Sequence, residues 1–138
     1  MVILIVEDQA IIGLAIAMEL QDAGHQVLGP VTNTEQAARL VEQSHPELAL
    51  IDVDLQRAGD GIDLARSLSS DSSVQTLFVT GRPTAARAHA DLALGVLGKP
   101  FASSDIPRCV AVLQTIMNGG IPAPPDIPSQ LELFRHMH

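Results

Sequence analysis

The chain has 138 residues, of which 46% are apolar, enough to fill the core of one ordinary domain. A formal charge of −8 argues against a nucleic-acid surface, because duplex binding relies on cations that neutralise phosphates, so DNA is not expected as a direct partner. A single cysteine rules out an internal disulfide, and neither a basic-then-apolar leader nor an apolar run of bilayer length is present, so no membrane is expected and the cytoplasm is the expected location.

Five short apolar runs punctuate the sequence: VILIV (2–6), QVLGPV (26–31), ELALI (47–51), QTLFV (75–79) and GVLG (95–98). Each is too short for a helix and reads as a strand. Between and after them, residues 10–23, 33–44, 61–70 and 103–117 carry apolar side chains at helical spacing, whereas 83–93 is Ala-rich and follows Gly81 and Pro83, which predicts a short or mobile helix. Gly24 is placed to close the first helix, Asn33 or Thr34 to cap the second, and Ser103 or Ser104 to cap the last, with Asp105 near its positive end. Strand and helix thus alternate five times, which implies right-handed βαβ units and a parallel sheet covered on both faces. With three Phe and no Trp or Tyr, the core must be aliphatic, and Cys109 in RCVAVL reads as a packed thiol.

After Met117 the composition turns to NGGIPAPPDIPSQ, so residues 1–117 are expected to form the domain and 118–138 a Pro/Gly-rich tail or linker. The final LELFRHMH suggests a disordered end, with one docked turn of helix as the alternative. The five histidines are scattered; His45 precedes Pro46 at a helix end, and His136 and His138 lie in the tail, so all read as surface groups.

In an open parallel sheet, ligands bind beyond the carboxyl ends of the strands. The residues that end these strands are Glu7 and Asp8, then Asp52, Thr80, and Lys99 with Pro100. Each acid alone is an ordinary loop residue, but three carboxylates brought to one edge repel one another and call for raised pKa values or a cation. Such an oxygen-rich, partly open set suits Mg²⁺. A carboxylate held on a rigid strand can attack phosphorus, and Lys99 is the cation that would neutralise the transferring group.

VILIVEDQ, LALIDVDL, LFVTG and GKPF, taken together over residues 1–117, resemble the receiver domain of bacterial two-component response regulators. The resemblance implies a flavodoxin-like doubly wound α/β fold with a five-stranded parallel sheet in the order 2-1-3-4-5 and helices on both faces. It further implies that Asp52 accepts a phosphoryl group from a histidine kinase or histidine phosphotransfer protein. Glu7, Asp8, Asp52 and the backbone carbonyl of Asp54 are the implied Mg²⁺ ligands, Thr80 the hydroxyl and Lys99 the cation that meet the phosphoryl group, and Lys99–Pro100 a cis bond. Asp54 and Arg82 fall where the family tunes the lifetime of the phosphoryl group. Val96 stands where most members carry a switch aromatic, and the loop VDLQRAGDG lacks the usual proline and is one residue longer before Gly61. LFVTGRP is similar to the F-A-T-G motif of single-domain receivers that share the missing aromatic and a poorly formed fourth helix.

In the first helix, Ile12, Ala15, Ile16, Leu20 and Ala23 are expected to face the sheet, leaving Ile11, Leu14 and Met18 as a second apolar stripe beside the acid pair. That stripe is a candidate docking surface for the partner kinase, with cover by a tail or loop of the same chain as the alternative. Two rival readings of the whole chain remain. One is a haloacid-dehalogenase-like phosphatase with Asp52 as nucleophile of a D-x-D pair, disfavoured because the other acid pair comes first in the chain; the other is a receiver-shaped interaction module that is never phosphorylated. As no effector domain is visible, a free-standing regulator acting on an unidentified downstream protein is expected, with a fragment of a longer regulator as the alternative.

Overall fold

The computed structural model describes residues 1–57 and 59–134. Strands and helices alternate as β1 (Val2–Val6), α1 (Ala10–Asp22), β2 (Gln26–Val31), α2 (Thr34–Ser44), β3 (Leu48–Ile51), α3 (Asp60–Asp71), β4 (Gln75–Thr80), α4 (Pro83–Arg87), β5 (Gly95–Gly98), α5 (Ile106–Met117) and β6 (Leu131–Leu133). The sheet order is β2-β1-β3-β4-β5-β6; the first five strands are mutually parallel, and β6 runs antiparallel to β5.

The doubly wound parallel sheet is as the sequence predicts. The five-strand count is corrected to six, because LELF forms neither a helical turn nor a disordered end but pairs with β5. Leu131 and Leu133 have an apolar sheet face to join, and β5 would otherwise leave one row of backbone donors and acceptors unpaired. Residues 135–138, including His136 and His138, lie outside the described residues.

β1 and β3 are buried along nearly their whole length, which explains their uninterrupted apolar runs. Their alternate side chains feed two cores. Ile3, Ile5, Leu48 and Leu50 meet Ile16 and Leu20 of α1 and Val110 and Leu113 of α5; Leu4, Val6, Ala49 and Ile51 meet Ala37 and Val41 of α2 and Ala65 and Leu68 of α3. Each fully buried aliphatic side chain is worth roughly 1.5–3 kcal/mol of transfer free energy, so this layering accounts for a fold with so few rings.

Local signals decide the helix ends. Asn33 caps α2, its side chain accepting from the Gln36 amide at 2.9 Å. Gly24, with φ of 94°, terminates α1 in the left-handed conformation expected of it. The α1 face differs from expectation at its end: Gly13, Ile16, Ala17 and Leu20 are buried, whereas Ala23 is the exposed cap residue after the last turn. The last helix also starts later than residue 103. Ser103–Asp105 form a 3-10 turn and α5 begins at Ile106, because Pro107 lacks an N–H and is tolerated only in a first helical turn. The weak 83–93 stretch resolves into the five-residue α4 and a 3-10 turn at Ala90–Leu92.

Candidate functional site

The carboxyl ends of β1, β3, β4 and β5 open on one edge of the sheet, and that parallel arrangement brings Glu7, Asp8, Asp52, Thr80 and Lys99 together. β3 ends at Ile51, so Asp52 is the first residue beyond a wholly buried strand; it is only 7% exposed, and its amide donates to the Val6 carbonyl at 3.0 Å. One carboxylate oxygen, Oδ1, accepts from the Asp54 amide at 3.1 Å, and the other, Oδ2, lies 3.3 Å from the Lys99 Nζ. Asp52 is therefore held by its strand, its loop and a cation.

Lys99 follows β5 directly, and its amide donates to the Thr80 carbonyl at 2.8 Å. Its ammonium donates to Glu7 Oε1 at 2.7 Å and Gln9 Oε1 at 3.1 Å as well as to Asp52. Glu7 is 2% exposed, and its Oε2 accepts from the Gln9 amide at 3.2 Å. Asp8, in contrast, is exposed, and carboxylate oxygens of Glu7, Asp8 and Asp52 all approach within 4.8 Å of one another. The Lys99–Pro100 bond is cis, as the resemblance implies.

One ammonium facing several carboxylates divides the electrostatic outcome unevenly. Burial opposes the charge of Lys99, but the Glu7 hydrogen bond and the Asp52 charge outweigh it and raise its pKa. Glu7 is pushed up to about 7, first by burial and then by Asp52, with the Lys99 bond offsetting only part of this. An all-oxygen set of donors with surplus negative charge and one exposed member fits a hard divalent cation that retains water.

Asp54 and Arg82 meet in a two-pronged pair across the opening: Nε donates to Oδ2 at 2.6 Å and a terminal guanidinium nitrogen to Oδ1 at 2.7 Å. The Arg82 bond holds the Asp54 carboxyl below its ordinary range, with the Gly59 amide adding to the effect. Thr80 is buried, and its hydroxyl oxygen accepts from the Arg82 amide at 3.0 Å, which leaves its O–H proton free to be donated.

Two further residues shape the site. Gln9 lies just after the acid pair, where its side chain reaches Lys99 and its amide reaches Glu7; nothing in its residue type signals this. Gly61 was legible as the start of a helix, but its physical reason lies in the fold: a Cβ there would collide with the Asp52 carbonyl oxygen. Its amide instead donates to the Val53 carbonyl at 2.8 Å, locking the loop that carries Asp52.

Of the remaining candidates, Ile11, Leu14 and Met18 are exposed on α1, at 84%, 55% and 63%. Ile11 also borders an apolar groove of about 440 Å³ that reaches Pro100 and Phe101 beside Lys99. Val96 is buried within the sheet. Cys109 is buried, and burial pushes its thiol up to about 12, in keeping with a packed role.

A parallel sheet wound on both faces, with a buried aspartate, a lysine and an acid pair at its carboxyl edge, has the layout of a receiver fold. The family model described as the response regulator receiver domain matches residues 3–111, and the chain belongs to that family. It is 33% identical over 107 residues to the transcriptional regulatory protein PdtaR of Mycobacterium tuberculosis, covering 75% of this chain and 52% of that one. The phyllosphere-induced regulator PhyR of Methylorubrum extorquens is 29% identical over 82 residues, covering 59% and 31%. Among solved structures, the signal receiver domain of a modulated diguanylate cyclase from Desulfovibrio desulfuricans superposes with a TM-score of 0.70 at 30% identity, over 85% of this chain and 97% of that one. The chain spans about half the length, or less, of these two curated relatives.

Proposed function

We propose that the protein is a phosphoacceptor of a two-component system, in which Asp52 takes a phosphoryl group from the phosphohistidine of a histidine kinase or histidine phosphotransfer protein. The observation that carries this is the placement of Asp52: one oxygen held by the Asp54 amide, the other by Lys99, at the end of a buried strand. In this reading an Asp52 oxygen attacks phosphorus, the P–N bond to the imidazole breaks with its electron pair returning to the ring, and an acyl phosphate forms. Lys99 holds one phosphoryl oxygen, and the Thr80 hydroxyl donates to another. The carboxylates of Glu7, Asp8 and Asp52 and the backbone carbonyl of Asp54 would hold Mg²⁺, which would supply positive charge to offset the negative charge of the phosphoryl oxygens. The Asp54–Arg82 pair screens the acyl phosphate from water and so sets its lifetime.

Residues 1–117 carry this chemistry, and residues 118–138 are the Pro/Gly-rich tail or linker, of which Leu131–Leu133 pair with β5. The exposed stripe Ile11, Leu14 and Met18 receives an apolar helix of the phosphodonor, since large exposed side chains beside the acid pair suit such a partner. The setting is cytoplasmic; among the described residues no helix is long and apolar enough to cross a membrane. Output passes to a downstream protein and not directly to DNA, in line with the net charge of −8.

The test is labelling by a small acyl-phosphate donor. Parent protein with Mg²⁺ takes up about one phosphoryl group per chain, and Asp52→Asn or a chelator abolishes it. Equal labelling of Asp52→Asn refutes Asp52 as acceptor, and no labelling of the parent favours an unphosphorylated interaction module.

A further inference from the structure

β5 ends the parallel set, and the last described residues of the chain cover its open edge. Leu131 lies opposite Leu97, Glu132 opposite Val96, and Leu133 opposite Gly95. The Gly98 amide donates to the Gln130 carbonyl at 3.1 Å, and the Phe134 amide to the Leu94 carbonyl at 2.9 Å. Gly95 is suited to being covered, since a Cβ there would run into the Glu132 carbonyl oxygen.

The seat has a side-chain pattern as well as a backbone one. Leu131 is buried in the core beneath α1 and α5, and Leu133 packs on the same core. Glu132 points the other way, towards α4, where Arg87 Nε donates to its two carboxylate oxygens at 2.8 and 2.9 Å. What β5 accepts is therefore an extended segment reading apolar, acidic, apolar.

This cover is held weakly compared with the rest of the sheet. Among the described residues three pair in register with one flanking hydrogen bond at each end, a Pro-rich stretch precedes them, and the ion pair that latches them has side chains 51% and 41% exposed. Short edge strands with exposed ion pairs open more readily than central strands.

We propose that Leu131–Phe134 is a displaceable strand that occupies, in cis, a strand-addition site on β5, and that the site's partner is an extended protein segment with an apolar–acidic–apolar pattern whose acid is taken by Arg87. The occupant seen here defines the partner's chemistry. Strand addition requires no phosphoryl group on Asp52, so this inference stands or falls separately from the proposed function.

The probe is a fluorescent peptide of residues 129–134, SQLELF, titrated into the full chain, with amide exchange followed in parallel. Glu132→Ala unlatches the tail while leaving Arg87 for the incoming acid, so it should bind the peptide roughly fivefold or more tighter than the parent does. Adding Arg87→Glu should reverse the preference, from SQLELF to the lysine-centred SQLKLF. Leu131→Lys, which removes the apolar anchor, serves as the second variant where the Phe134 amide of Glu132→Ala stays protected. An opened chain, with a fast Phe134 amide and a slow Asp52 amide, that ignores the peptide overturns the proposal. So does an opened chain that dimerises by light scattering instead of taking up peptide, or a Phe134 amide that stays protected in both variants.

Discussion

Glu7→Gln isolates the cost of the buried acid. Glu7 is 2% exposed, and its carboxyl titrates at about 7 in the fold against an ordinary 4.5, chiefly because of burial and then Asp52. A raised carboxyl pKa means that the folded state holds the proton more tightly than the open chain. Its contribution is fully present below pH 4.5 and is lost as pH rises through 7, at a cost on the order of 3 kcal/mol once both states are ionised. His25 acts in the opposite direction, because burial and the nearby N-terminal amine lower its pKa; its contribution is present above pH 6.5 and is lost as pH falls through its folded value. The informative quantity is therefore the difference between parent and Glu7→Gln, in which His25 cancels. Urea unfolding in a chelator at pH 5, 6, 7 and 8 should give a variant close to the parent at pH 5 and more stable by about 2–3 kcal/mol at pH 8. A difference that stays flat across that range, or grows towards low pH, would refute the argument.

Arg82→Ala should leave thermal unfolding close to the parent's, since Arg82 is largely exposed, yet should raise the Asp54 pKa towards its ordinary value by NMR titration and speed acyl-phosphate hydrolysis severalfold. Slower hydrolysis counts against screening. Gly61→Ala must move either the Asp52 carbonyl or the start of α3, so it should lower stability by roughly 2 kcal/mol or more and slow labelling of Asp52; unchanged thermal unfolding contradicts this. Leu14→Asp replaces an exposed side chain and should change stability by less than about 0.5 kcal/mol, with labelling by a small donor intact and transfer from the phosphodonor protein down about tenfold or more. Equal rates from the protein donor would remove α1 as the docking face.

The sheet was legible because a strand buried on both faces has to be apolar throughout, and five such runs separated by helical spacing leave few arrangements. For the same reason the meeting of Asp52 with Lys99 and the acid pair could be anticipated: each ends a strand, and parallel strands end on one side. The features that escaped depend on contacts distant in sequence. LELF is too short to establish a period of two, and its partner is the edge of β5, more than 30 positions earlier. Gln9 has no residue-type signature, and its role comes from the reach of Lys99. The start of α5 is hidden because Ser103 and Ser104 look like caps, whereas Pro107 sets the boundary. Ala23 continues the α1 periodicity but falls one residue beyond the end of the helix, where the chain turns away.

The ammonium of Lys99 gives the acid cluster an internal counterion. On the proposed reading, a divalent ion held by Glu7 and Asp52 would compete with Lys99 for their carboxylate oxygens, and its apparent affinity would be an exchange constant that includes the loss of the lysine's hydrogen bonds. The same exchange would release the flexible four-carbon arm of Lys99 towards an incoming anion. Binding the ion and freeing the lysine would then be one event.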